Sequence, residues 1–208
     1  MPATATEPSR RAMLIAGGSL GLAAVIGGAA LWRLATPPPA SAALAELGRR
    51  AGDVRVIGQD GREIVWDSLT GAPRAVFFGF TRCPEICPTT IAELDGAMAL
   101  LGPAAEDLKV QFVTVDPARD TPDHLARYLS SFGPRFSGFT GTQREIERLA
   151  QAYRVRYRKV PTTGDDYTMD HTALVYLIDR EGRVRDFIAY GVGPERAAEQ
   201  LRTFLGGT

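Results

Sequence analysis

The sequence predicts an α/β domain with a mixed central sheet, preceded by a single apolar helix. Three observations predict it. Ala75–Phe80, Val110–Val115 and Ala173–Ile178 are short continuous apolar runs, the pattern of strands covered on both faces. Segments with apolar residues at helical spacing separate them. An uncharged stretch of 21 residues, Ala12 to Trp32, lies far upstream of all of them.

That stretch would span roughly 31 Å as a helix, close to the hydrocarbon thickness of a bilayer. Arg10 and Arg11 precede it and Arg33 follows. By the positive-inside rule the N-terminal arginine pair stays in the cytoplasm and the remainder of the chain is sent out. The expectation is a signal anchor in a bacterial inner membrane with the domain in the periplasm. The alternative is an exported, cleaved form: Ala40-Ser41-Ala42 is a small-residue cleavage pattern, and Ser9-Arg10-Arg11 resembles a twin-arginine signal. A buried core helix fits poorly, because five glycines would weaken it. Gly17 and Gly21 have the spacing of helix dimers, a weak signal in so glycine-rich a run. Pro37-Pro38-Pro39 reads as a stiff spacer. The organisation expected is therefore 1–36 tip and anchor or export signal, 37–49 linker, 50–208 domain.

Within the domain, Val54–Ile57 and Ile64–Trp66 flank Gln59-Asp60-Gly61 and predict an N-terminal β-hairpin. Pro88-Thr89-Thr90 opens a helix carrying Ile91, Leu94, Met98 and Leu101, stopped by Gly102-Pro103. Thr121-Pro122 is a cap followed by proline at the first helical position. Further helices are expected from Gln143 to Tyr153 and from Pro194 to Leu205. Arg180–Arg183 turns the third apolar run into a fourth strand, Val184–Ala189. The order is β-hairpin, β, α, β, α, α, β, β, α, which fits a thioredoxin-like fold. Periodicity alone also permits other three-layer sandwiches.

Composition limits the function. Lys+Arg and Asp+Glu are both 24, so there is no basic excess to suggest nucleic-acid binding. There are two cysteines, and both lie in Cys83-Pro84-Glu85-Ile86-Cys87. A disulfide framework would spread cysteines along the chain. A bridge closing so short a loop would also stabilise weakly, although it remains a rival reading in an oxidising compartment. The loop follows a buried strand and precedes a helix. With Pro88 at the first helical position, Cys87 falls at or next to the N-cap, where free amides would lower its pKa.

His171, in Tyr167–Thr172, enters the third apolar run. In thioredoxin-like folds that entry point lies beside the cysteine loop, so His171 is the candidate third ligand. Two thiolates and an imidazole suit copper(I), and suit copper(II) as well. A surface or capping histidine is the plainer alternative. Asp116 and Arg119 are candidates for supporting the site or docking a partner; the plainer reading is a turn with Asp120 and Thr121 capping a helix. His124 reads as solvated. Met169 could offer a weak thioether but more simply packs a loop. Arg154–Lys159 is basic, hence a solvated surface or a docking face for an acidic partner. Pro161–Tyr167 reads as a mobile loop.

Three segments in register resemble the SCO/SenC family: Gly79–Pro88 with its two cysteines, Val115–Pro122, and Asp170-His171-Thr172. The resemblance covers essentially the whole domain. It implies a copper protein whose ligands are Cys83, Cys87 and His171, and which helps assemble the binuclear copper centre in subunit II of cytochrome c oxidase. It is held either to deliver copper or to reduce the target's cysteines, with a periplasmic copper donor or thiol reductant as a further partner. If reductase, Cys83 and Cys87 are the catalytic pair. A thiol peroxidase, with Thr81 and Arg82 beside a reactive cysteine, fits poorly. A copper or redox sensor would use the same site.

Overall fold

The computed structural model describes residues 43–207 apart from 45. The apolar run Ala12–Trp32, the Pro37–Pro39 spacer and the Ala40–Ala42 cleavage pattern lie outside the described residues. Among the described residues no helix is long and apolar enough to cross a membrane. Among the described residues Leu44 already packs against the core, Leu47 is buried and the Gly48 amide bonds the Ala152 carbonyl, so packing extends to residues before 50.

Nine strands and four α-helices are described: β1 Arg55–Gly58, β2 Glu63–Val65, β3 Arg74–Gly79, α1 Ile86–Leu101, β4 Lys109–Thr114, α2 Pro122–Leu129, β5 Phe136–Thr140, α3 Gln143–Ala152, β6 Tyr157–Pro161, β7 Tyr167–His171, β8 Leu174–Ile178, β9 Val184–Ala189 and α4 Pro194–Gly206. Seven strands form one sheet in the order β2-β1-β5-β4-β3-β8-β9, and β6-β7 forms a separate two-stranded sheet. β3, β4 and β5 run parallel; β1, β8 and β9 are antiparallel to their neighbours. Every residue of β3 is buried, as expected of a central strand with helices over both faces.

Aromatic contacts assign the faces. Phe77 and Phe112 meet at 5.7 Å between centroids, and Phe112 meets Tyr128 of α2 at 5.8 Å. On the opposite face Phe78 packs on Tyr153, which follows α3, and on Tyr176. α4 lies along α1. Caps follow the sequence signals at α2, where the Thr121 hydroxyl accepts from the His124 amide with Pro122 next in the chain.

Three strands depart from the expected order. β5 gave no strand signal because Phe136-Ser137-Gly138-Phe139-Thr140 carries a glycine at its centre. A Cβ at Gly138 would sit 2.8 Å from Leu129 Cδ1 and 3.1 Å from Leu125 Cβ, so α2 lies on the strand only because that side chain is missing. β6 and β7 are half-exposed strands of mixed polarity, Tyr-Arg-Lys-Val-Pro and Tyr-Thr-Met-Asp-His, with no run of apolar residues to announce them. The segment expected as a loop, Pro161–Tyr167, is the closing turn of this hairpin, flanked by the Pro161↔Tyr167 pair.

Candidate metal centre

β3 ends at Gly79 and delivers the chain into the cysteine loop. The Cys83 amide bonds the Phe80 carbonyl, and Val115 N bonds Gly79 O at 2.8 Å, tying the loop's entry to the end of β4. The exit is the first turn of α1, whose helical residues begin at Ile86, so Cys87 is the second helical residue rather than the cap. Cys87 is buried and Cys83 half-buried, and neither is in a disulfide.

The sulfurs divide their roles differently from the sequence expectation. Helix amides point back toward the N-terminus, and the Cys87 amide is aimed at Cys83 Sγ, 3.4 Å away. Cys83, not Cys87, is therefore held well below the ordinary thiol range. The main cause is its hydrogen bond with the Cys87 side chain, with the Cys87 amide adding to it against a burial penalty. Cys87 is pushed up, first by the bond to Cys83 and then by burial. Within the coupled pair the outer sulfur is thus the one favoured as thiolate and the inner one the one favoured as thiol.

His171 ends β7 and lies three residues before β8, the neighbour of β3. Its ring meets Phe80 edge-on at 5.8 Å and Phe77 at 6.3 Å. Its Nδ1 is 3.1 Å from the Thr172 carbonyl. A carbonyl can only accept, so Nδ1 carries the proton of the neutral ring. Nε2, 3.7 Å from Cys87 Sγ, is then left with a lone pair toward the sulfurs. One donor atom each from Cys83, Cys87 and His171 all lie within 4.8 Å of one another. That spread is close to twice a metal–thiolate bond of roughly 2.3 Å, as known for zinc, so one ion fits between them with little adjustment. Two soft sulfurs and an imidazole are a donor set that selects copper over hard cations.

Asp116 and Arg119 lie elsewhere than at the sulfurs. Asp116 accepts from Arg119 Nε and from the Tyr167 hydroxyl, and Arg119 Nη1 reaches the Tyr167 carbonyl at 2.8 Å and Asp166 at 3.0 Å. Both grip the turn end of the hairpin whose other end carries His171. Met169 is buried in the core, and His124 is half-exposed on α2. A cavity of about 400 Å³ lined by Arg156, Tyr157, Arg158, Asp170, His171 and Thr172 opens beside His171.

Two residues escaped the sequence reading. Asp120, expected as a cap, is 1% exposed and takes the Thr81 hydroxyl at 2.6 Å, the Thr81 amide at 3.1 Å and the Thr114 hydroxyl at 2.6 Å. It clamps the start of the cysteine loop onto β4, and Thr121 alone caps α2. At Gly79 a Cβ would lie 2.8 Å from Cys87 Sγ and 2.9 Å from Phe112 Cε2, so glycine there makes room for the inner sulfur. A glycine near the end of the apolar run Ala75–Phe80, just ahead of two cysteines, was the available signal.

Comparison with known proteins agrees with this geometry. The SCO1/SenC family model matches residues 44–206. The chain belongs to the SCO1/SenC family. An SCO2-like protein of Rickettsia conorii is 36% identical over 153 residues, covering 73% of this chain and 75% of its own length. Two family structures with copper bound are similar. Bradyrhizobium japonicum ScoI is 41% identical at a TM-score of 0.65, covering 74% of this chain and 98% of its own. Arabidopsis thaliana ScoI is 29% identical at a TM-score of 0.71, covering 76% and 99%. The thioredoxin-like α/β fold and copper as the metal both stand on these structures together with the donor cluster.

Proposed function

We propose that the chain is a copper chaperone that binds one copper through Cys83, Cys87 and His171 and helps assemble the binuclear copper centre in subunit II of cytochrome c oxidase. The observation that carries this is the convergence of three donor atoms within 4.8 Å from two separate parts of the chain. Copper-bound relatives and membership of the SCO1/SenC family support the choice of metal and of task. Cys83 meets copper already as a thiolate, Cys87 loses its proton on ligation, and the neutral imidazole of His171 adds the donor that copper(II) favours. Asp116 and Arg119 act at one remove, by holding the His171 hairpin. The uncharged run Ala12–Trp32 behind Arg10 and Arg11 supports a membrane anchor with the domain in the periplasm.

A second reading, a thiol-disulfide reductase, draws on the asymmetry of the sulfurs. The Cys83 thiolate would attack a partner disulfide. Cys87 would then resolve the mixed disulfide, leaving the partner reduced and a Cys83–Cys87 bond that an external thiol reductant must reduce.

His171→Ala separates the two. It should abolish tight copper(II) binding, weaken copper(I) less, and leave disulfide exchange intact. In a cell carrying only this variant, a missing copper centre in the oxidase supports copper delivery. Normal assembly would refute it.

A further inference from the structure

The hairpin that carries His171 shares no strand pairing with the seven-stranded sheet, so side chains must set its pose. At its turn end these converge on Tyr167. The Arg119 guanidinium stacks 3.7 Å from the ring centroid, and the Lys159 ammonium lies 4.3 Å away. The Tyr167 hydroxyl donates to Asp116, which is 2% exposed and also accepts from Arg119 Nε. Asp166, beside Tyr167, accepts from Arg119 and lies 3.9 Å from Arg82 of the cysteine loop. The Arg82 pair is exposed at both ends and holds little, whereas the Asp116–Arg119–Tyr167 set is largely desolvated.

We propose that Tyr167, in contact with Arg119 and Lys159 and bonded to Asp116, is a positioning residue that fixes the hairpin and so aims His171 at the two sulfurs. This rests on the copper site proposed above. Tyr167 and His171 are the two ends of β7, about 13 Å apart in an extended strand, and Thr172 N bonds Arg156 O at the hairpin's base. The strand works as a lever between the stack and the imidazole. The cysteines, in the loop after β3 and in the first turn of α1, do not move with it. Loss of the stack therefore loosens one ligand of three. Copper(II), which favours imidazole, feels this; copper(I), held by two thiolates, largely does not.

The test uses the full-length reduced chain in detergent, titrated with copper(II) and separately with copper(I) against competing chelators. Tyr167→Leu removes ring and hydroxyl. It should weaken copper(II) about 10–100-fold, the range for residues that orient a metal ligand, and shift the thiolate-to-copper(II) absorption band. Copper(I) affinity should stay within about threefold. Tyr167→Phe keeps the stack and should restore most of the loss. Lys159→Met, an exposed change that leaves folding alone, should give a smaller weakening in the same direction. Without metal, amide exchange should rise in β6 and β7 and not in β3. Parent-like copper(II) affinity and spectrum in both Tyr167→Leu and Lys159→Met would overturn the positioning role alone. A parent chain that binds no copper would overturn it together with the copper site.

Discussion

The two parts of the candidate metal centre are built by different means. The cysteine loop is continuous with the central sheet. It leaves a fully buried strand, is clamped through Thr81 and Asp120 to β4, and enters the first turn of α1. The His171 hairpin pairs as strands only with itself and is held by the burial of Met169 and by cation–ring and polar contacts at its turn end. Two candidate ligands thus come with the fold, and the third comes on a hairpin outside the main sheet. A site divided in this way can keep its thiolates in place while imidazole contact varies, which suits the proposed copper chaperone.

The largest stability contrast should come from cutting each side once. Asp120→Ala leaves the buried Thr114 hydroxyl and the Thr81 groups without their acceptor and should destabilise the domain by roughly 3 kcal/mol. Arg158→Ala, which removes only an exposed pair with Asp170 on the hairpin, should change it by less than about 1 kcal/mol. Denaturant unfolding of both variants measures the difference. Equal losses would mean that the hairpin is as integral as the loop.

Gly79→Ala presses a methyl group against Cys87 Sγ and the Phe112 ring. A cost of about 1–3 kcal/mol is expected, with copper affinity lowered for both oxidation states because a sulfur is displaced. That pattern is the opposite of an effect on His171, which should spare copper(I). Selective loss of copper(II) in Gly79→Ala would blur the distinction between the two parts.

The smallest effect is one of reactivity. Cys83 is held below the ordinary thiol range, so it stays a thiolate as pH falls from 8 to 6. An ordinary thiol loses about tenfold in reactive form per pH unit over that interval. Limited alkylation at pH 6 followed by peptide mapping should label Cys83 ahead of the buried Cys87. Preferential labelling of Cys87 would reverse the assignment of the two sulfurs.

Sequence reading served the two parts unequally. Ala75–Phe80 is apolar without a break because both its faces are covered, so the strand, the loop after it and the helix after Pro88 were all legible. His171 was legible too, through its place just ahead of the Leu174–Ile178 strand beside β3. Its support was not. β6 and β7 show no apolar period because they form a half-exposed arm, and the Tyr167 stack joins residues 48 positions apart. The choice of sulfur also failed on the sequence alone. A proline following Cys87 suggested where the helix starts, but which sulfur faces the first amides depends on the helix beginning at Ile86. Asp120 was misread for a similar reason: next to Thr121-Pro122 it looks like a cap, and only the fold of the cysteine loop brings Thr81 to it.

The most direct measurement is X-ray absorption on the full-length reduced chain loaded with copper(II), together with metal analysis. The account predicts one copper per chain, with two sulfur ligands and at least one imidazole, and with the imidazole signal lost in His171→Ala. Two tightly held coppers, a first shell without sulfur, or an unchanged imidazole signal in that variant would contradict it.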